Sequence, residues 1–226
     1  VQARQTIEET EWLIKISAAN PSVVGVIGWL PLCHTNLNAS LDRLNENPKL
    51  VGVRHVIHDE KDNNFILRKD FNQGIRQLGP RNLVYDILIF EKHLPQTIQF
   101  VDQHPNIQFV VDHIAKPKIC SATFDSTWAE NILELGKRTN VACKLSGMVT
   151  EVIDSRWSPS LLRPYVDTVL EAFGPNRLLA GSDWPVCLLR AEYTQWHQAI
   201  LSMTESLSEY EQFNILGQNA CRIYNI

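Results

Sequence analysis

The stretch that decides the fold is Ala180-Gly181-Ser182-Asp183-Trp184-Pro185-Val186. A short apolar run, Leu178-Leu179, leads into it. Pro185 ends any regular element, because proline donates no backbone hydrogen bond and keeps the preceding residue out of a helix. The stretch therefore predicts a buried strand that gives way to a loop at Asp183. That carboxylate is either the cap of an Asx turn or, if strands and helices alternate, a site residue at a strand's carboxyl end.

The rest of the chain alternates strands with helices. Six apolar or β-branched runs predict strands at residues 23–29, 50–57, 83–88, 107–112, 141–145 and 177–182. Helical spacing predicts helices at about 6–19, 36–46, 68–78, 93–103, 126–138 and 160–173, and again from residue 192 onward. Thr6 followed by Glu9 has the form of a capping box. Alternation of this kind predicts neighbouring parallel strands whose carboxyl ends share one rim.

Composition narrows the class of protein and its partners. The chain has 226 residues, of which 44% are hydrophobic and 20% charged, and no linker divides it, so we expect one domain over residues 1–226. A net charge of -4 with scattered basic residues argues against nucleic acid, and no apolar run is long enough for a membrane span. Five cysteines without paired spacing fit reduced thiols and a cytoplasmic location. We expect a small-molecule substrate and leave a homo-oligomer open.

Polar side chains stand at the carboxyl ends of five predicted strands. A closed ring of strands brings such groups to one pocket, whereas an open sheet places its site at one switch point, so a barrel is favoured. No glycine-rich phosphate loop follows any strand. The candidate residues, in chain order, are Arg54, His55, His58, Asp86, His113, Lys144, Ser146 and Asp183.

These candidates differ in strength. His113 leaves an apolar strand directly beside Asp112 and just before a proline, which favours a functional role. A lone histidine at a strand end, such as His55 or His58, is more often structural. Asp86 and Lys144 lie inside apolar runs, where a charge must be paired or hydrogen-bonded. Asp86 therefore holds a ligand hydroxyl or pairs with Arg54 or Lys144, and the sequence does not choose.

Five motifs in this order resemble the amidohydrolase-2 branch of the amidohydrolase superfamily, and within it most closely the sugar and dicarboxylate lactonases. The resemblance implies an α/β, (β/α)8 barrel that opens a cyclic ester, with His113 and Asp183 facing the pocket. Asp183 is then the general base, or it binds one divalent metal, zinc or manganese, together with His113; members differ in metal need. The motifs are Gly52-Val53-Arg54-His55-Val56, Val84-Tyr85-Asp86-Ile87-Leu88, Val111-Asp112-His113-Ile114-Ala115-Lys116-Pro117, Lys144-Leu145-Ser146-Gly147-Met148 and Gly181-Ser182-Asp183-Trp184-Pro185-Val186.

The same resemblance implies roles for the neighbouring residues. Lactone hydrolysis needs an activated water, a group that polarises the carbonyl oxygen, and donors that fix the substrate. His113, Lys144 and Arg54 are candidates for polarising the carbonyl or clamping a carboxylate, with Arg54 the better bidentate partner. The expected substrate-binding residues are Arg54, His55, His58, Asp86, Lys144, Ser146 and Trp184.

One departure from the family pattern concerns the first strand. The family begins with a strand that ends in a His-x-His pair, and this sequence contains no such pair. By that pattern Val1-Gln2-Ala3 matches the end of the second strand, so we expect a barrel that lacks its first strand and most of the second. Two alternatives to a lactonase stay open: a metal-dependent decarboxylase of the same superfamily, and an inactive barrel that serves as a binding module.

Overall fold

Six parallel strands form a single sheet in the computed structural model, which describes residues 1–226. Each strand lies next to its predecessor in the chain, so the order is β1 to β6 without reversal. A doubly wound sheet reverses its order at a switch point, whereas a barrel wall does not. The strands are β1 (Val26–Gly28), β2 (Leu50–Val56), β3 (Val84–Leu88), β4 (Phe109–Val111), β5 (Val141–Leu145) and β6 (Leu178–Ala180). The predicted α/β barrel fold is confirmed as six consecutive strands of a barrel wall.

Helices connect the strands as the alternation predicts, with ends that differ from the prediction by a few residues. None of these helices has the length and apolarity needed to cross a membrane. A π-helical turn, Asn214–Gln218, joins the last two. The helices are α1 (Ile7–Ala19), α2 (Leu37–Asn45), α3 (Lys69–Ile75), α4 (Leu94–Asp102), α5 (Ser126–Gly136), α6 (Pro159–Phe173), α7 (Tyr193–Met203), α8 (Glu209–Phe213) and α9 (Asn219–Tyr224).

The predicted capping box at α1 is only half formed. Thr6 caps the helix, because its Oγ1 accepts a hydrogen bond from the Glu9 N–H at 3.2 Å. The Glu9 carboxylate does not return to Thr6; it accepts instead from the N–H groups of Ala3 and Arg4 at 3.0 and 2.7 Å. Glu9 therefore fixes the segment before the helix rather than the cap itself.

The first residues run alongside β1 without forming a regular strand. Gln2 is buried, and its N–H donates to the Ile27 carbonyl at 2.7 Å. A backbone hydrogen bond to an edge strand is the contact that a parallel neighbour makes. Val1-Gln2-Ala3 thus lies where the end of a preceding strand belongs, although it carries no strand of its own.

The two faces of the sheet bury different kinds of residue. The face toward the helices packs large side chains such as Tyr85 and Phe109 into one extensive core with helix residues such as Trp128 of α5. The inner face carries a layer of mostly smaller side chains, one from each strand, closed by two residues of α9. That layer consists of Ile27, Val51, Val84, Val110, Ala142 and Leu179, with Ile223 and Tyr224. Charged side chains adjoin this layer, and the site lies at the ends of the strands beyond them.

Candidate active site

A left-handed turn follows β4 and carries His113 to the rim. His113, Ile114, Ala115 and Lys116 all have positive φ, between 49° and 62°, although none is glycine. The turn is closed by the Lys116 N–H, which donates to the His113 carbonyl at 2.8 Å. Left-handed residues of this kind cost roughly 1 to 2 kcal/mol each and cluster where function requires a particular backbone path. We call residues 113–116 the left-handed turn.

The imidazole of His113 is held between two residues that follow β5. Its Nδ1 lies 2.8 Å from Ser146 Oγ. Gly147, at φ +66°, packs directly against the ring: a Cβ there would come within 2.7 Å of His113 Cγ and Nδ1. Burial lowers the pKa of His113 to about 3, since the charged ring would lose its hydration. His113 is therefore neutral at pH 7.

Asp183 stands opposite His113 at the end of β6. Its Oδ1 lies 3.6 Å from His113 Nε2, which confirms that the two side chains are within one substrate's reach. The separation exceeds a hydrogen bond, and a neutral imidazole makes no ion pair, so both atoms are free to hydrogen-bond to one water molecule that lies to one side of the pair. Asp183 cannot form an Asx turn, because the residue two positions on, Pro185, has no backbone N–H; the Trp184 N–H donates to Ser182 Oγ at 3.1 Å. We call His113, Ser146 and Asp183 the rim group.

The charge state of Asp183 suits a base. Burial raises the pKa of Asp183 to about 6, against the opposing field of Lys116. The carboxylate is thus mostly ionised at pH 7, yet it binds a proton far more readily than an exposed aspartate. A pKa close to the working pH is what general base catalysis requires.

Next to the rim group lies a set of fully paired charges, which we call the central ion cluster: Arg54, Asp86, Asp112, Lys144 and Tyr224. Asp112 receives Arg54 Nη1 at 2.6 Å and Lys144 Nζ at 2.6 Å, one on each oxygen. Lys144 also contacts Asp86 at 2.5 Å, and the Tyr224 hydroxyl donates to the other Asp86 oxygen at 2.8 Å. Two cations face two carboxylates, so the cluster is neutral as a whole.

This pairing bears on three predicted substrate contacts. Of the alternatives for Asp86, the structure shows pairing with Lys144, while Arg54 turns to Asp112 and to Gln2. Burial would raise the pKa of Asp112, but Lys144 and Arg54 hold it below its usual range. The pKa of Lys144 is raised by Asp112 and Asp86 in spite of burial. Burial raises the pKa of Asp86 against the opposing field of Lys144. The groups are committed to one another and have few free positions for a ligand.

His55 is directed away from the rim group. It lies on the helix-facing side of β2, where its Nε2 contacts Glu60 at 2.7 Å and its Nδ1 accepts from Trp29 Nε1 at 3.1 Å. Its ring stacks on Phe65 with centroids 5.1 Å apart. Both ring nitrogens are occupied, so the structure gives His55 a packing role and does not bring it to the candidate site.

His58 and Trp184 lie at the rim but outside the rim group. His58 stacks on Phe90 at 4.6 Å between centroids, and its buried Nδ1 has no hydrogen-bond partner. Trp184 directly follows Asp183 and is 63% exposed. His58 follows β2 and Trp184 follows β6, and their role as substrate contacts stays a prediction.

Sequence reasoning missed Lys116, Glu151 and Gly147. Lys116 forms an ion pair with Glu151 beside the rim group, and Gly147 supports His113. Lys116 belongs to one of the five motifs, but its position depends on four consecutive left-handed residues. None of the four residue types predicts that conformation. Of the three, only Gly147 offered a signal in the sequence: a glycine directly after a predicted strand indicates a backbone with positive φ.

The donors of the rim group supply only part of a metal site. His113 Nε2 and Asp183 Oδ1 face one another and are of the types that zinc binds. No group of three His, Cys, Asp or Glu residues is arranged to hold an ion. Zinc takes about three or four protein ligands, so these two residues alone do not complete such a site.

Comparison with known proteins identifies similar sequences and structures. The model of a family described as Amidohydrolase matches residues 1–226. L-fucono-1,5-lactonase of Burkholderia multivorans is 36% identical over 239 residues, covering 99% of this chain and 79% of that protein. The protein of the same name from Burkholderia ambifaria is 34% identical, covering 100% of this chain and 79% of its own. A crystal structure of an amidohydrolase from B. multivorans with bound zinc has a TM-score of 0.92 at 36% identity, covering 100% of this chain and 81% of that one.

Proposed function

The chain belongs to the Amidohydrolase family, and from this premise we propose that it hydrolyses a sugar-acid lactone, with Asp183 as the general base. The lactonase-like resemblance of the five motifs is confirmed by the two L-fucono-1,5-lactonases that the chain resembles over its length. The observation that carries the proposed mechanism is the facing pair of His113 Nε2 and Asp183 Oδ1, 3.6 Å apart. A neutral imidazole and an ionised carboxylate of raised pKa are the acid–base partners that ester hydrolysis needs.

In the proposed reaction a water beside the facing pair is hydrogen-bonded to both Asp183 and His113. Asp183 takes a proton from this water as its oxygen attacks the lactone carbonyl carbon. The tetrahedral adduct then collapses, the bond between that carbon and the ring oxygen breaks, and the proton held by Asp183 passes to the departing oxygen. The product is an open hydroxy acid, so water is consumed and atoms and charges balance.

His113 orients the water and Ser146 orients His113. If the Ser146 hydroxyl donates to Nδ1, then Nε2 carries the remaining hydrogen of the neutral ring and faces Asp183. Gly147 has no side chain, which lets its backbone approach the imidazole closely. The Ser146 contact thereby fixes the tautomer and the direction of the donor, which is how enzymes commonly position a histidine.

The metal requirement is part of the same proposal. One solved relative contains zinc, and in this chain His113 and Asp183 are the side chains that would contact such an ion. A bound divalent ion would lower the pKa of a coordinated water. The assay below therefore includes protein dialysed against EDTA, then supplied with zinc or with manganese.

The test is a lactone panel assayed by proton release, starting with L-fucono-1,5-lactone and the corresponding γ-lactone. We expect ring opening by the wild-type protein and a fall of roughly 10²-fold or more in Asp183→Asn, which keeps the shape of the side chain but removes the proton acceptor. The matched control is Asp167→Asn, an exposed carboxylate on α6, which should leave the rate unchanged.

Three outcomes would count against the proposal. Release of carbon dioxide from a carboxylated substrate would indicate the decarboxylase alternative. A wild-type protein that binds lactones without opening them would indicate a binding module. A folded and fully active Asp183→Asn variant, checked by circular dichroism, would remove Asp183 from the chemistry even if the lactonase activity stands.

A further inference from the structure

We propose that Lys116 is a further catalytic residue, whose ammonium group stabilises the negative charge that develops on the lactone carbonyl oxygen. This inference rests on the proposed lactone hydrolysis. It assigns the one component of the reaction that the rim group does not supply, since His113 and Asp183 are committed to the water. The residue was not among the candidates that the motifs suggested.

The backbone places Lys116 beside the rim group. It is the last residue of the left-handed turn, and its N–H is bonded to the carbonyl of His113. The two side chains therefore leave the same closed turn and cannot separate without opening it. Four consecutive non-glycine residues at positive φ carry a conformational cost. Such a cost is retained where it sets the position of working side chains.

The ammonium group of Lys116 is desolvated but not saturated. Its side chain is only 14% exposed, and its recorded partners are the carboxylate of Glu151 and the ring of Phe90, whose centroid lies 5.8 Å from Nζ. An ammonium has three N–H donors. Glu151 accepts from one, and an aromatic face attracts the charge without accepting a conventional hydrogen bond. Donors therefore remain for a substrate oxygen.

The other two buried cations cannot take this role. Arg54 is bonded to Asp112 and Gln2, and Lys144 lies between Asp86 and Asp112 at 2.5 and 2.6 Å. To reach a substrate, either would have to leave a buried carboxylate unpaired, which is strongly unfavourable. Lys116 faces no such conflict, because its partner Glu151 lies at the rim with 17% of its side chain exposed.

The electrostatics agree with this placement. Lys116 is a cation of low exposure on the same closed turn as His113. In a site that excludes water, a fixed donor of this kind contributes substantially to the stability of an oxyanion.

The experiment compares Lys116→Met with Lys118→Met. Both remove one ammonium from the same loop, but Lys118 is 75% exposed and reaches Glu91 only at 3.4 Å. With L-fucono-1,5-lactone we expect Lys116→Met to lose roughly 10²-fold or more in kcat with little change in KM, the pattern of an interaction made in the transition state. Lys118→Met should match the wild type. Lys116→Arg, which keeps the charge, should recover part of the loss.

The split between kcat and KM separates a catalytic charge from a structural one, because a charge that acts only in the transition state changes kcat alone. Lys116→Gln serves as the second variant if the methionine variant does not fold by circular dichroism.

The outcomes distinguish this inference from the proposed function. If the wild type opens lactones and Asp183→Asn does not, but Lys116→Met and Lys116→Gln stay within about threefold of the wild type, the role of Lys116 is overturned alone. A loss confined to KM would likewise overturn it, since it would indicate ground-state binding. If the wild type opens no lactone, the proposed function fails and this inference fails with it.

Discussion

The central ion cluster and the rim group contain the same kinds of side chain, yet their chemistry differs. In the cluster each ionised oxygen of Asp112 faces a cation, and the pairing fixes its charge state. In the rim group a carboxylate and an imidazole face one another 3.6 Å apart with no counter-ion between them. Burial then moves the pKa of Asp183 toward neutrality, to about 6. Buried charges that are paired hold a fixed structure, whereas a buried carboxylate without a counter-ion becomes a reactive group.

The largest effect should come from breaking the cluster. Asp112→Asn leaves Arg54 and Lys144 as buried cations with one carboxylate between them, and removal of one partner from a buried pair costs about 3 to 5 kcal/mol. We expect a loss of this size in the free energy of unfolding, measured in urea. Asp102→Asn is the control, because Asp102 pairs with Arg138 at the exposed surface, where the cost is about 1 kcal/mol or less. Equal losses of unfolding free energy in the two variants would contradict the distinction between the buried cluster and an exposed ion pair.

Gly147→Ala should damage the rim group through the imidazole. The added methyl would meet His113 at 2.7 Å at a position with φ +66°, and strain plus overpacking costs about 2 to 4 kcal/mol. We expect both a lower melting temperature and a loss of lactone hydrolysis. Gly174→Ala also strains the backbone, at φ +65°, but its Cβ would meet nothing within 4 Å. This control should lose stability and keep its kcat; a kcat loss common to both variants would show that strain alone is responsible.

Asp183→Asn should stabilise the fold while it abolishes the activity. The pKa of Asp183 is raised from 3.8 to about 6, so ionising it opposes folding. This penalty is absent below pH 3.8, grows as the pH rises toward 6 and is complete above it. After screening by solvent it amounts to about 1 to 2 kcal/mol. The melting temperature of the variant should exceed that of the wild type at about pH 8 but not at about pH 4. A gain in melting temperature of equal size at the two pH values would refute the raised pKa of Asp183.

The smallest effect should come from Ser146→Ala. The variant loses one neutral hydrogen bond to His113 Nδ1, worth about 1 kcal/mol, or roughly a fivefold change in rate. We expect this change in kcat with an unaltered circular dichroism spectrum. Ser160→Ala, on the exposed start of α6, provides the comparison. A loss of 10²-fold or more would instead assign Ser146 a direct role in the chemistry.

The sequence was sufficient for the strands and for the facing pair. Apolar runs predict the strands because burial on both faces of a parallel sheet demands them, and the strand ends bring His113 and Asp183 to one rim. The choice of ion partners could not be predicted, since Asp86, Asp112, Arg54 and Lys144 allow several pairings that differ only in three-dimensional distances. The left-handed turn could not be predicted either, because each of its four residues prefers negative φ.

The contact between Tyr224 and Asp86 spans 138 residues. Asp86 lies on β3, early in the sheet, whereas Tyr224 belongs to α9, which a ribosome synthesises after all six strands. During translation, therefore, β1 to β6 are all synthesised while one buried oxygen of Asp86 still has no donor. That oxygen gains its partner only when α9 packs against the sheet. A chain truncated before residue 224 would keep these six strands and lose the donor, so we expect its sheet to be less stable.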